Sequence, residues 1–291
     1  MQPRDYVLIT DTGCDLPASI VTSCQLAVIS MAYELDGTLY DGFTAPYQNT
    51  HTFYSLMRNG SIPVTRQIIP DQAKAFFASY LRQNLDILFV GFSGGLSASC
   101  SSCRAAADEL NADCGERRII VIDSLSASLG QGLLVYLASQ KKKDGMDIDE
   151  LAQWVSDTRL HICHNFTVED LNSLSRGGRI SKTSAVLGSV LNIKPVLHID
   201  DSGQLVTVNK IRSRKASLDA LVNQMGSALT GFTNSICFIS HGDCPEDAQY
   251  VADAVRRRFG ISEFLISEIG PVIGSHAGPG TVALFFLGDR R

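Results

Sequence analysis

Of the few ionisable side chains placed where they could do chemistry, His276 is the most conspicuous. It sits in Gly270-Pro271-Val272-Ile273-Gly274-Ser275-His276-Ala277-Gly278-Pro279-Gly280, with four glycines and two prolines in eleven residues. Glycine supplies unusual backbone angles, and each proline fixes φ and removes a donor. The composition therefore reads as a stiff, tightly turned loop, neither helix nor central strand. The apolar run that follows, Thr281 to Gly288, reads as a buried strand. Such a loop would present one imidazole at the mouth of a core strand. A structural turn with an incidental histidine fits the spacing equally well, so the neighbours must decide.

Those neighbours are mostly hydroxyls. Thr10, Thr12, Thr65, Ser93, Ser97, Ser124, Ser126, Ser128 and Ser275 fall at the ends of strand-like runs, with Asp11, Asp15 and Asp123 as the accompanying carboxylates. A Ser-His-Asp hydrolase could be drawn from them, but Gly94-Gly95-Leu96-Ser97-Ala98 lacks the glycine that a nucleophile elbow carries two residues after serine. There is no Walker A sequence, no Gly-x-Gly-x-x-Gly opening the first helix, no His-Glu-x-x-His and no acidic cluster suited to magnesium. Neutral donors around one histidine suit the binding of an anion. A carboxylate taken out of water loses several kcal/mol of hydration unless hydrogen bonds replace it. Two hydroxyls and an imidazole would supply them, at roughly 1.5–3 kcal/mol for each charge-assisted bond.

The elements that must position these groups alternate regularly. Tyr6 to Thr10, Ile87 to Phe92 and Arg118 to Ile122 are apolar runs, each ending in a small polar turn, and helical patterns follow over Leu96–Ala112 and Ala127–Lys141. Strand, Ser/Gly turn and helix in succession predict a parallel sheet with helices on its faces, and open α/β sheets place ligands at the carboxyl ends of their strands. Leu26 to Leu35 reads as one extended segment turned at Asp36-Gly37. Val168 to Leu174 reads as helix, and Asp200-Asp201-Ser202-Gly203 as a hairpin turn between two strands. That hairpin among helices predicts a second, mixed sheet. The expected architecture is two α/β domains, an N-terminal one over 1–159 and a C-terminal one with a mixed sheet over 160–291.

The 291 residues are 45% apolar and 19% charged, as in a well-cored protein, and the net charge of −5 argues against a nucleic-acid partner. No leader-like start and no apolar run of membrane-spanning length is read, so the expected location is cytoplasmic. Eight cysteines include one close pair, Cys100 and Cys103, expected as buried free thiols on one helix face with no metal.

Taken together, the blocks resemble the DegV family, bacterial fatty-acid-binding proteins that deliver acyl chains to a fatty acid kinase. Thr10-Asp11-Thr12-Gly13-Cys14-Asp15-Leu16-Pro17 is similar to the family's T-D-S-x-x-D-L-P, Val64 to Gln67 to its T-S-Q-P-S, and Phe92 to Ser99 to its S-S-x-L-S-G-T. Asp123, Ser124, Ser128, Gly130 and Gly132 follow D-S-x-x-x-S-x-G-x-G. Leu174 to Ile180 follows L-x-x-G-G-R-I, and Gly274 to Gly280 follows G-T-H-x-G-P-G. The resemblance runs the full length of the chain. It implies a non-catalytic carrier without a cofactor, in which a long-chain, palmitate-like fatty acid lies between the two domains. Its carboxylate would meet Thr65, Ser97 and His276, with Ser93 a weaker candidate. It further implies a kinase-docking surface around Arg176, Arg179 and Arg212, and leaves room for transient contact with a membrane surface. Arg66, Ile68 and Ile69 depart from the family pattern, as does Ala98-Ser99-Cys100; Arg66 could bring a charge close to the head group or point to solvent, and the isoleucines could narrow or re-line the pocket. The competing readings are a hydrolase or phosphotransferase on the same scaffold and a small-anion sensor without lipid.

Overall fold

The computed structural model describes residues 5–42, 50–113, 115, 117–181, 192–229, 231–289 and 291. Strands β1 (Tyr6–Asp11), β2 (Ala27–Ile29), β3 (Ala32–Leu35), β4 (Thr38–Asp41), β5 (Val64–Arg66), β6 (Asp86–Gly91) and β7 (Ile119–Asp123) come first, and β8 (Ile162–Thr167), β9 (Ile193–Ile199), β10 (Leu205–Arg212), β11 (Ile236–His241), β12 (Glu263–Glu268) and β13 (Val282–Leu287) follow. They form a parallel sheet of order β2-β1-β6-β7, a small antiparallel sheet β4-β3-β5, and a mixed six-stranded sheet β10-β9-β8-β13-β11-β12. The fold is α/β with one parallel and one mixed sheet.

Strand periodicity explains the layering. Every residue of β1 and β6 is buried, as expected for parallel strands covered on both faces. Val7, Ile9, Ile87 and Phe89 point to one face, against Ala73, Phe77, Cys103 and Ala106 of helices Pro70–Leu81 and Ser99–Asp113. Leu8, Leu88 and Val90 point to the other, against Leu133 and Leu134 of helix Leu129–Lys143. The same helix meets Phe166, Phe238 and Phe285 of the six-stranded sheet, whose opposite face is covered by helices Arg214–Ala228 and Pro245–Phe259.

Helix Leu129–Lys143 thus lies between two sheets, and its residues from Leu129 to Val135 are buried without a break. A stretch buried on all sides has no solvent face, and its one polar side chain, Gln131, donates to Thr10 Oγ1 at 3.0 Å and to Asp11 Oδ1 at 3.2 Å. Its close approach depends on glycine: a Cβ at Gly130 would sit 2.1 Å from His164 Nε2 of β8. At the far end Lys142 donates to the Tyr6 carbonyl at 2.7 Å and Lys143 to that of Ser23 at 2.9 Å, so two of the three lysines there are tied locally.

Three expectations need correction. Pro271–Ala277 is a helix, because Pro271 occupies its first turn, where no donor is needed, and Gly278, at φ 81°, ends it. Leu26 to Leu35 is not one segment: β2 joins the parallel sheet and β3 turns away to pair with β4 and β5. The helix expected over Val168–Leu174 is the short Asn172–Arg176. Cys100 and Cys103 are buried free thiols, burial pushing Cys100 up to about 12; Cys114 lies outside the described residues.

Replacing Gly130 by Ala improves intrinsic helix propensity by about 1 kcal/mol yet drives a methyl group into a buried ring. We expect a net loss of about 1–3 kcal/mol in urea denaturation of Gly130→Ala. Unchanged or raised stability would show that the helix is not wedged between the sheets as described.

Candidate functional site

Thr65 and His276 arrive from opposite ends of the chain. Thr65 lies on β5, held in register by pairing with Tyr33 of β3. His276 stands in the last turn of helix Pro271–Ala277. The Thr65 hydroxyl and His276 Nε2 are 2.8 Å apart. The other ring nitrogen, Nδ1, is buried and has no hydrogen-bond partner among the described residues. It faces Gly177, where a Cβ would sit 2.1 Å from it, so this glycine makes room for the ring. Burial, reinforced by the positive charges of Arg179 and Arg176, lowers the His276 pKa to about 4. The imidazole is neutral at neutral pH, with one nitrogen protonated and one free to accept.

Ser97 joins the pair on the wall of a single cavity. Its hydroxyl accepts from the Ser99 amide at 3.2 Å and lies 3.0 Å from the Ser99 hydroxyl, at the start of helix Ser99–Asp113. Ser99 Oγ in turn accepts from the Ile68 amide at 3.2 Å, which ties that helix to the segment following β5. Thr65, Ser97 and His276 are therefore brought together.

Ser93 is not with them. It is fully buried, donates to the Gly203 carbonyl at 2.8 Å, and latches the β9–β10 hairpin to the first sheet. Arg176 and Arg212 are exposed, but Arg179 is half-buried on the cavity wall. Its Nε donates to the Leu96 carbonyl at 3.2 Å, and its guanidinium also reaches the Gly177 carbonyl. Arg179 thus clamps two parts of the wall. Arg66 borders the cavity and pairs with Glu34 at 2.6 Å. Neither isoleucine re-lines the pocket: Ile68 is buried in the first core, and Ile69 is 53% exposed.

The cavity and its open mouth together span about 950 Å³ of non-atom space, part of it solvent. Met31, Phe92 and Leu96 line it from the first half of the chain, and Phe166, Ile199 and Phe285 from the six-stranded sheet. The polar groups of Thr65, Ser97 and His276 share its wall with a predominantly apolar set. A pocket of this kind suits an amphipathic anion with a long apolar part. Sequence reasoning missed Phe166, Phe285 and His164, because a strand face lining a cavity reads like one lining a core. Among the described residues no cluster could hold a metal, and no helix is long and apolar enough to cross a membrane.

A profile of the DegV family, described as uncharacterised proteins, matches residues 6–289. A DegV domain-containing protein of Clostridium perfringens, CPE0026, is 39% identical over 288 residues, covering 99% of each chain. A Thermus thermophilus DegV-family structure described by its fatty acid binding is 26% identical, covers 98% of this chain and 99% of its own, and superposes with a TM-score of 0.87. The fatty-acid-binding DegV-family protein SAG1342 of Streptococcus agalactiae is 25% identical, with 99% and 100% coverage and a TM-score of 0.85. With the family profile spanning nearly every residue and the two-sheet architecture shared from end to end, this chain belongs to the DegV family.

Proposed function

We propose that the chain binds a long-chain fatty acid, its tail in the apolar cavity and its carboxylate on Thr65, Ser97 and His276, and presents it to a fatty acid kinase. The observation that carries this reading is the placement of two hydroxyls and a half-satisfied imidazole on the wall of an otherwise apolar cavity. Removing some fourteen methylenes from water contributes about 0.8 kcal/mol each, roughly 11 kcal/mol before ordering costs. The neutral imidazole can donate to the head group through whichever nitrogen carries the proton, and Arg179 on the same wall offsets the charge. The DegV-family proteins of Thermus thermophilus and Streptococcus agalactiae, described as binding fatty acids, support the ligand class. The chain supplies the ligand and does no chemistry on it. Ser93, engaged with Gly203, is not part of this set.

Extraction of the purified protein followed by mass spectrometry should yield a long-chain fatty acid at close to one per chain. Thr65→Ala, Ser97→Ala and His276→Ala should each weaken binding by about 1–3 kcal/mol, less than additively because they share one head group. A nucleotide or phosphate ester in the extract, or wild-type affinity in His276→Ala, would contradict the reading.

The kinase-facing surface is assigned to exposed Arg176 and Arg212, with Arg179 on the cavity wall. Positive charge beside a transferring phosphoryl group stabilises it. In an assay coupled to a partner kinase, Arg176→Ala and Arg212→Ala should lower acyl phosphate formation while keeping fatty acid affinity. Arg179→Ala should impair both. Undiminished phosphorylation in the two outer variants would put the docking surface elsewhere.

The imidazole also makes a prediction about pH. Its pKa is about 4 in the fold against an ordinary 6.5, so on acidification the unfolded chain takes up the proton first. Stability that His276 contributes as a neutral group is complete above 6.5 and falls as pH drops towards 4. In delipidated protein, melting temperature should therefore fall more steeply between these limits for wild type than for His276→Gln. Parallel curves would mean that the ring is not desolvated.

A further inference from the structure

Three more polar side chains line the cavity. Ser128 precedes helix Leu129–Lys143, Ser240 lies on β11 and His164 on β8; their exposures are 5%, 0% and 2%. Around them the six-stranded sheet offers Phe166, Ala283 and Phe285, with Ala283 paired to both Phe166 and Ser240. An apolar tail has no use for hydroxyls here, and buried polar groups without full partners are costly.

The hydrogen-bond valences are informative. Ser128 Oγ lies 2.6 Å from Asp15 Oδ2 and 3.0 Å from Ser240 Oγ. Asp15, 1% exposed, also accepts from the Gly270 amide at 3.0 Å. Among the described residues Ser240 Oγ makes no bond other than that to Ser128. With Asp15 ionised, Ser128 donates to it and Ser240 donates to Ser128, leaving Ser240 with free lone pairs. With Asp15 protonated, the relay can reverse, and Ser240 is left with a free O–H. Either state leaves one valence on Ser240 open beside the cavity.

Ser128 is also held there at a cost. Its backbone adopts φ 53° and ψ −145°, a region that residues with a Cβ rarely enter. Conformations of this kind are costly and persist where the surroundings demand them. His164 is set similarly. Its Nδ1 lies 2.9 Å from the Ile162 carbonyl, which can only accept, so Nδ1 carries the proton and Nε2 presents a lone pair. That lone pair receives only the Ala127 amide, at 3.4 Å, at the long limit for such a bond.

Taking the cavity as the acyl site proposed above, we infer that Ser240, supported by Ser128, forms a subsite for the hydroxyl group of a hydroxylated acyl chain. A hydroxyl both donates and accepts, so it satisfies Ser240 in either state of the relay, whereas a ketone serves only one. The carboxylate stays with Thr65, Ser97 and His276, and the isomer that binds best reports the separation of the two oxygen functions along the chain. The preferred ligand is a hydroxy fatty acid in which that spacing matches.

Dissociation constants of stearate and of a series of positional isomers of hydroxystearate, measured on the delipidated full chain, test this. At least one isomer should bind roughly fivefold or more tightly than stearate, the worth of one net hydrogen bond. The ratio should fall towards one in Ser240→Ala. Circular dichroism and melting temperature check that the variant folds, and the wild-type ratio stands even if it does not. Stearate that binds while no isomer gains over it overturns the subsite alone, as does a preference undiminished in folded Ser240→Ala. Failure of both stearate and every isomer to bind overturns the lipid reading together with it.

Discussion

The structure depends on one helix having no solvent-facing side where it meets the cavity. Leu129 to Val135 are buried between the parallel sheet and the six-stranded sheet, so the two halves of the chain share a core across it. That burial is non-directional; the seating of the helix is set by sterics, through Gly130 against His164. The cavity opens where the sandwich is incomplete, beside the amino end of this helix, with strand residues of one sheet and turn residues of the other as its walls. The candidate site therefore occupies the seam between two otherwise ordinary α/β layers.

The head-group region follows from the same seam. His276 is carried by a helix whose capping residue, Gly270, donates to Asp15 in the first βα turn, so the imidazole is referenced to the first sheet although it belongs to the last stretch of the chain. Arg179 makes a reciprocal connection, from the second half to the Leu96 carbonyl. Desolvation keeps the ring neutral, while the nearby guanidinium groups favour an anion. A charged imidazole would give stronger attraction, but at the cost of a buried cation whenever the site is empty. A neutral ring with a hydroxyl partner and a free nitrogen avoids that cost.

Much of this was legible in the sequence. The repeated strand, turn and helix predicted the parallel sheet, and the Asp200–Gly203 turn predicted the hairpin that became β9 and β10. Motif order singled out Thr65, Ser97 and His276, and all three line the same cavity, which leaves their role to the proposal above. Other features were hidden for physical reasons. The helix at Pro271–Ala277 was masked by a composition that usually breaks helices, because proline and glycine are harmful inside a helix and suitable at its ends. The inward turn of Arg179 and the latch formed by Ser93 depend on which loop packs against which, and local pattern does not encode that. The three-stranded sheet escaped because β3 and β5 are separated by a whole helix, Thr50–Arg58.

The central claim is that a carboxylate occupies the position beside Thr65 and His276 while the chain runs along the six-stranded sheet. A crystal structure of the protein with stearate tests it most directly. The account predicts carboxylate oxygens within hydrogen-bond distance of the Thr65 hydroxyl and a ring nitrogen of His276, and methylenes against Phe166 and Phe285. A carboxylate facing solvent, with the chain elsewhere or reversed in the cavity, would contradict it.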